Sequence, residues 1–254
     1  MTILYSKLAR AYHEMYQSIF NYDEEFQIYD SYLRKYNGKK ILELGCGSGN
    51  LGHRLMQANY NYLGLDLFPE MVAIAREEFP NIEVQQGDMR SFELHSKFDV
   101  IIVSGRSFCY LTTNKDVLRC LIQVFNHLKP NGILIFDNFY APVIFSDFQT
   151  SMEQEATFQA RKYKRISSNS PNFQTGWTWN WNAKYIVEEN KNIQEYHDKS
   201  ILRAFTEDEL QLFLNICGYN IIESEKKAIA IWTVAQKKNK IKDVIQNLLI
   251  NEKN

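Results

Sequence analysis

Two rhythms of apolar and polar positions divide the chain near residue 138. Before it, short apolar runs at 41–44, 62–65, 82–84, 100–103 and 133–136 alternate with stretches of helical spacing at 50–58, 69–79 and 114–128. Runs too short for helices read as buried strands, and their alternation with helices predicts βαβ units, right-handed crossovers and a parallel sheet. Upstream, aromatic and apolar residues spaced by three and four (Tyr5, Leu8, Tyr12, Tyr16, then Phe26, Tyr29, Tyr32) predict two helices within 3–36, separated at Asn21-Tyr22-Asp23.

Beyond Asn138 the period falls to two. The segments 158–166, 176–187 and 193–205 predict antiparallel strands with no helix between them. Thr206-Glu-Asp-Glu209 then has the form of a capping box, opening a helix that runs to about Cys217 and stops at Gly218. Strands near 219–224 and 228–235 complete the sheet, and 237–254 reads as a polar helical tail.

Composition narrows the class. The 254 residues, 45 % hydrophobic and 23 % charged, suit one globular α/β domain with an inserted element. A net charge of −1 leaves no basic surplus for a phosphate backbone, so no nucleic-acid partner is expected. The N-terminus lacks the apolar core of a signal peptide, and no run approaches the roughly 18 apolar residues of a membrane span, which predicts a cytoplasmic protein without a membrane partner. Cys46, Cys109, Cys120 and Cys217 are scattered, which points to reduced, buried thiols and no metal site.

The sharpest chemical signal is a glycine turn, Gly45-Cys-Gly-Ser-Gly49, at the end of the first strand. Such a turn lets a ligand approach the backbone, and the amides and helix N-terminus beside it favour an anion. Gly47-x-Gly49-x-x-Gly52 also matches the dinucleotide fingerprint. That fingerprint should start immediately after the strand, whereas Gly45 already occupies this place, so the frame fits a different cofactor. Glu43, a carboxylate in an apolar strand end, needs a donor to offset its burial. Asp66, ending the second strand, can accept two ribose hydroxyls in either frame.

The chain resembles the class I S-adenosylmethionine-dependent methyltransferases over about 38–137 and, more loosely, to 236. Four segments in order carry the resemblance: Glu43-Leu-Gly-Cys-Gly-Ser-Gly49, Gly64-Leu-Asp-Leu-Phe-Pro-Glu-Met71, Gln86-Gly-Asp-Met89 and Leu128-Lys-Pro-Asn-Gly132. The resemblance implies an α/β, Rossmann-like fold with a mostly parallel seven-stranded sheet, and S-adenosyl-L-methionine as cofactor. It places Glu43 and Gly45 at the methionine portion, Asp66 at the ribose, Leu67 and Met89 on the adenine faces and Asp88 at the adenine amino group. Cys46, Gly47 and Ser104 complete that set.

A looser similarity, in Tyr5-Ser-Lys-Leu-Ala-Arg-Ala-Tyr12, Gly87-Asp-Met-Arg-Ser-Phe92, Ser107-Phe-Cys-Tyr-Leu111 and Arg203-Ala-Phe-Thr206, is to the branch with amino-sugar N,N-dimethyltransferases. It implies an N-terminal helical lid at 1–37 carrying Tyr5 and Tyr12, with Tyr12 near the cofactor carboxylate, and Tyr110 facing a small-molecule acceptor. The remaining organisation is a cofactor-binding core at 38–140, an antiparallel acceptor-side insertion at 141–205, the end of the sheet at 206–236 and the tail at 237–254. His13 and Ser200 depart from the branch, which commonly has Asp and His there.

Tyr5, Tyr110 and His197 are candidates for removing a proton from an amine acceptor. In Gly176-Trp-Thr-Trp-Asn-Trp-Asn182 a strand would project Trp177, Trp179 and Trp181 from one face, either as a platform for the acceptor together with Arg203, or as cover for the sheet or for a dimer contact. The expected activity is methyl transfer to N or O of a small molecule by a monomer or homodimer. The alternatives are a cofactor-binding but idle partner protein and a dinucleotide oxidoreductase.

Overall fold

The computed structural model describes residues 2–238. Two helices, α1 (Ala9–Ile19) and α2 (Tyr22–Lys35), precede a run of alternating elements: β1 (Lys40–Leu44), α3 (Asn50–Gln57), β2 (Asn61–Asp66), α4 (Pro69–Glu78), β3 (Val84–Gln86), β4 (Phe98–Val103), α5 (Asn114–His127) and β5 (Leu128–Phe139). After α6 (Ala141–Ser146) come β6 (Ser151–Phe158), β7 (Arg161–Pro171), β8 (Trp177–Glu189) and β9 (Asn192–Ala204), then α7 (Glu207–Ile216), β10 (Tyr219–Lys227) and β11 (Ala230–Lys237). Seven strands form one sheet in the order β10-β11-β5-β4-β1-β2-β3, in which β11 alone runs against its neighbours. The sheet is buried on both faces. Helices α5 and α7 cover one side, and α2, α3 and α4 the other.

The parallel order puts β1 between β2 and β4, so the C-terminal ends of three strands converge, the position where open α/β sheets bind ligands. Close packing there has a cost in side chains. A Cβ on Gly52 would lie 2.2 Å from the Tyr62 ring, so glycine is what lets α3 cross over β2. This role for the third glycine of the fingerprint is internal to the protein.

The second sheet, β6-β7-β8-β9, is wholly antiparallel. Its two chain ends meet: the Ala141 N–H donates to the Phe205 carbonyl at 3.0 Å, and the Phe205 N–H to the Phe139 carbonyl at 2.9 Å. The N-terminal segment is clasped to this sheet. Asp198 accepts from the Thr2 hydroxyl (2.7 Å) and the Ile3 N–H (2.6 Å), Glu14 accepts from Arg161 (2.7 Å) and from the Tyr163 hydroxyl, and Ser18 donates to the Thr157 carbonyl (2.6 Å).

Several sequence expectations shift. Residues 3–8 form turns rather than helix; the edge strand expected at 82–84 is displaced to Val84–Gln86; and β6, α6 and a 3-10 turn at Ser107–Tyr110 were not anticipated. The tail expected over 237–254 lies outside the described residues except for Lys237, the last residue of β11, and Lys238. Cys46, Cys109, Cys120 and Cys217 are all buried and free. Among the described residues, no helix is long and apolar enough to cross a membrane.

The capping box at α7 forms as read. Thr206 accepts from the Glu209 N–H, and the Glu209 carboxylate accepts from the Thr206 N–H and also binds Arg203 at 3.1 Å. Thr206→Ala is expected to cost about 1 kcal/mol, a drop of about 2–4 °C in Tm for a chain of this size. Glu209→Ala should cost more, because it also strips the fully buried Arg203 of its carboxylate. Thermal unfolding of both variants checks the order.

Candidate functional site

The glycine turn adopts backbone that favours glycine: φ is +75° at Gly45, +54° at Gly47 and +80° at Gly49. A Cβ on Gly45 would meet Ser107 Oγ at 2.4 Å. The space beside Gly45 is therefore shared with the 3-10 turn that carries Tyr110, and substitution there disturbs protein as well as ligand.

Glu43 lies beneath the turn, buried, with its oxygens accepting from the Tyr62 hydroxyl (2.6 Å) and the Ser104 hydroxyl. Burial still raises its pKa against these two bonds. The donor that the sequence argument sought in a ligand is supplied first by the protein, and Ser104 takes part through Glu43.

Asp66 is nearly buried. Its two oxygens accept from the Gly47 N–H (2.8 Å) and the Phe68 N–H (2.9 Å), which fixes the carboxylate across the turn and leaves one lone pair on each oxygen for a pair of hydroxyls. Burial raises its pKa while the two amides hold it back. Asp88 lies farther out and is gripped by Arg90, whose Nη2 is 2.6 Å from Oδ2. Partial burial disfavours its charge, but the guanidinium prevails and holds the carboxyl below its ordinary value. Leu67 is exposed and Met89 half-buried. Cys46 is buried under the turn, and burial pushes its thiol up.

With Ala9, Tyr5 and Tyr12 pack on Phe68, Met71 and Ile74 at the start of α4. The Tyr5 hydroxyl lies 2.8 Å from the Tyr110 hydroxyl, Tyr5 and Tyr12 meet edge to face at 5.0 Å, and Tyr12 stacks on Tyr16 at 4.2 Å. Burial raises Tyr5, Tyr12 and Tyr110 well above the ordinary phenol value, and Tyr110 reinforces the shift at Tyr5. All three stay protonated. They are hydrogen-bonding groups rather than bases.

The two-residue period of β8 and β9 sorts the other candidates. Trp177, Trp179 and Trp181 share the face of the second sheet that looks toward the lid, opposite Ala204, Leu202 and Ser200. Trp177 and Trp179 pack on Phe145, at 5.3 and 6.1 Å, while Trp181 is half-buried between this cluster and Tyr185. His197 and Arg203 lie on the other face. His197 is exposed and does not join the Tyr5–Tyr110 pair, and Arg203 is buried against Phe205 (4.6 Å) and Phe213 (5.6 Å) with Glu209. Neither reaches the lid side of the sheet, because each stands an odd number of residues along β9 from Ser200, Leu202 and Ala204, which pair with the tryptophans.

The sequence reading passed over a group of acids behind the turn. Asp137, buried at the end of β5, accepts from the Arg106 N–H at 3.1 Å. Glu25 of α2 faces both Asp137 and Glu43; burial, then those two carboxylates, push its pKa up to about 8. Its local sequence, Asp23-Glu24-Glu25, reads as an ordinary acidic helix start, so nothing in it marks Glu25. This end of the cleft favours a cation. A polar cleft of about 420 Å³ also runs behind the lid, lined by His13, Gln17, Asn50, His53 and Arg54, and holds none of the sequence-predicted site residues.

Residues 41–132 match the family model described as a methyltransferase domain. The chain is 31 % identical over 159 residues to an uncharacterized methyltransferase of Bacillus mycoides, covering 61 % of this chain and 70 % of that one. It is 29 % identical over 181 residues, 71 % of each chain, to the dTDP-4-amino-2,3,4,6-tetradeoxy-D-glucose N,N-dimethyltransferase of Saccharopolyspora spinosa. Among solved structures, an S-adenosylmethionine-dependent methyltransferase from Clostridium acetobutylicum superposes with a TM-score of 0.78 at 20 % identity, over 92 % of this chain and 99 % of that one.

The acid group predicts a pH effect. Folded Glu25 keeps its proton to about pH 8, whereas an unfolded glutamate releases it near 4.5, so the native state binds more protons in that window and stability falls as pH rises through it. Glu25→Gln should flatten this part of the curve and be the more stable protein above pH 8. Urea unfolding at pH 5, 7 and 9 measures it, and identical slopes for the two proteins would remove Glu25 from the group.

Proposed function

The chain belongs to the S-adenosylmethionine-dependent methyltransferases, and on that premise we propose that its acceptor is the amine nitrogen of a small polar molecule of the amino-sugar kind. The observation that carries this reading is the buried Tyr5–Tyr110 hydroxyl pair, three residues along the 3-10 turn from the Ser107 that abuts Gly45. Two protonated phenols can accept N–H bonds from a neutral amine and orient its lone pair. They cannot deprotonate a hydroxyl, and Tyr12 and Cys109 beside them are likewise held protonated by burial. An amine that has left its proton in solvent needs no base here, whereas an alcohol or phenol acceptor does. The similarity to an N,N-dimethyltransferase of an amino-deoxysugar nucleotide supports the same choice.

The residues present fit the cofactor. Bound S-adenosylmethionine supplies an electrophilic methyl group with its leaving group already in place, so the protein's work is position and exclusion of water. Gly45 and Gly47 give backbone clearance, Asp66 accepts from the ribose, Leu67 and Met89 flank the adenine with Asp88 at its edge, and Glu43 and Asp137 offer acceptors to the cationic end, with a protonated Glu25 behind them. Tyr5 and Tyr12 hold the lid closed over the reacting atoms. A dinucleotide oxidoreductase and an idle partner protein have no support in these relationships.

Methyl transfer from radiolabelled S-adenosylmethionine to free and nucleotide-linked amino sugars, simple amines and phenols tests the acceptor. Transfer to amino sugars is expected, and transfer to phenols alone would overturn the reading. Tyr110→Phe should lower kcat about tenfold or more while leaving cofactor affinity within about twofold, since it removes the proposed bond to the acceptor and the bond to Tyr5 but no group assigned to the cofactor. Asp66→Ala should weaken S-adenosylmethionine binding about 10- to 100-fold by calorimetry, the loss expected for a charged acceptor of two hydroxyls.

A further inference from the structure

On the lid-facing side of the second sheet, a run of aromatic rings leads from the neighbourhood of Tyr110 to the surface. Tyr110, Phe139, Phe145 and Trp179 belong to one apolar cluster. Phe139 meets Trp179 edge to face at 5.4 Å, Trp179 meets Phe145 at 6.1 Å, and Phe145 meets Trp177 and Phe173 at 5.3 Å each. Burial falls away along the run: Trp179 is 5 % exposed, Trp177 37 % and Phe173 55 %. The two outer rings present apolar surface to water at the end of a strip that begins beside the Tyr5–Tyr110 pair.

Phe173 is held outward against its own backbone preference. Its φ of +48° lies in the left-handed region, which disfavours a bulky side chain. The turn is nonetheless fixed: the Asn172 and Phe173 N–H groups both donate to the Thr178 carbonyl, at 3.1 and 3.2 Å, and the Asn172 amide donates to Asn180 Oδ1 at 3.0 Å. Strain kept in order to present an exposed ring points to a use for that ring. Charge and area narrow the use. Residues 139–149 and 171–182 hold one charged side chain, Asp147, and no Lys or Arg, while Arg106, over the Phe139 ring at 5.1 Å, is paired with Asp137. The strip therefore has no free cation of its own for a phosphate. Phe173 and Trp177 leave on the order of 200 Å² of ring surface open, whereas a stable protein interface takes about 800 Å² from each side. A small planar group fits this area, and a second copy of the chain does not.

We propose that the strip binds an uncharged aromatic group attached to the acceptor, which lies on Phe173 and Trp177 while the amine reaches the Tyr5–Tyr110 pair. The proposal rests on the reading that an amine acceptor meets that pair. It adds a substrate class: an amino sugar linked to a planar aromatic framework rather than to a nucleotide. Stacking on two rings set at an angle to one another gives such a group affinity without a hydrogen bond and fixes its plane. It also separates the tryptophans by role, with Trp177 touching the acceptor and the buried Trp179 supporting Phe145 beneath it.

Calorimetry on the full chain saturated with S-adenosylhomocysteine tests it, with 2-naphthyl glucosaminide, methyl glucosaminide and thymidine diphosphate titrated separately. The naphthyl compound is expected to bind about tenfold tighter than the methyl one, and Trp177→Ala and Phe173→Asn should each cut that preference to about threefold or less. Affinity for S-adenosylhomocysteine should not change in either variant. Asparagine suits the left-handed backbone, so Phe173→Asn keeps the fold and decides the matter should Trp177→Ala not fold. The proposal is overturned if the naphthyl compound binds no tighter than the methyl one, if the folded variants keep the preference, or if thymidine diphosphate binds tighter than the naphthyl compound. It is equally overturned if sedimentation shows a dimer that Phe173→Asn dissociates, since a second copy then covers the strip. Because the readout is binding without turnover, failure of every amine in the methyl-transfer panel would remove the amine reading and leave the strip's preference standing, whereas methylation of amino sugars with no such preference would remove only this inference.

Discussion

A carboxylate that cannot reach water has to find its hydrogen bonds in the protein, and for Glu43 the search fixes much of the cofactor end of the domain. Its oxygens draw in the Tyr62 hydroxyl from β2 and the hydroxyl of Ser104, the residue after β4, so one side chain of β1 ties together three adjacent strands. Tyr62 can reach that point only by passing beneath α3, which is why position 52 has to be glycine. The turn above is set by the same geometry, with Asp66 gathering the Gly47 and Phe68 amides from its two sides. Removing one of these bonds would leave a buried polar group unmet. The glycine turn is thus a roof over a closed hydrogen-bonded network whose spare lone pairs face the ligand.

Above this rigid base the lid is held by a different kind of contact. α1 is tied to the second sheet by Glu14, Ser18 and the Asp198 bonds to residues 2 and 3, and to α4 through Arg10 and Glu78 at 2.6 Å. Several of these bonds lie at the surface, where each contributes little. The apolar closure beneath them, Leu4, Leu8 and Met15 against Tyr163, Ala183 and Tyr185, is the larger contribution.

The parts of the site that could be read from the chain are those whose reasons are local. Gly45, Gly47 and Gly49 are marked by the strand before them and the helix after them, Asp66 by its place at a strand end, and Thr206 with Glu209 by a spacing of three. The parts that could not be read have partners distant in sequence. Glu25 looks like any acid in a first helical turn until α2 is laid across β1. β6 escaped notice because its lid-facing row, Met152, Gln154, Ala156 and Phe158, includes a polar residue that blurs the alternation. Period alone also failed to rank the three tryptophans, since which of them stay available depends on Phe145 of α6, an element too short to show in the sequence, and on Phe148 just beyond it.

The two backbone bonds that join Ala141 and Phe139 to Phe205 bring the entry and exit of the second sheet to one point. Everything between is, from the standpoint of the large sheet, a loop whose ends are already closed. Changes in the length or pairing of β6 to β9 would therefore alter loop entropy only slowly and would not shift the register of β5 against β11. The second sheet can thus be exchanged as one contiguous segment of chain, with no compensating change in the strands that carry Glu43 and Asp66.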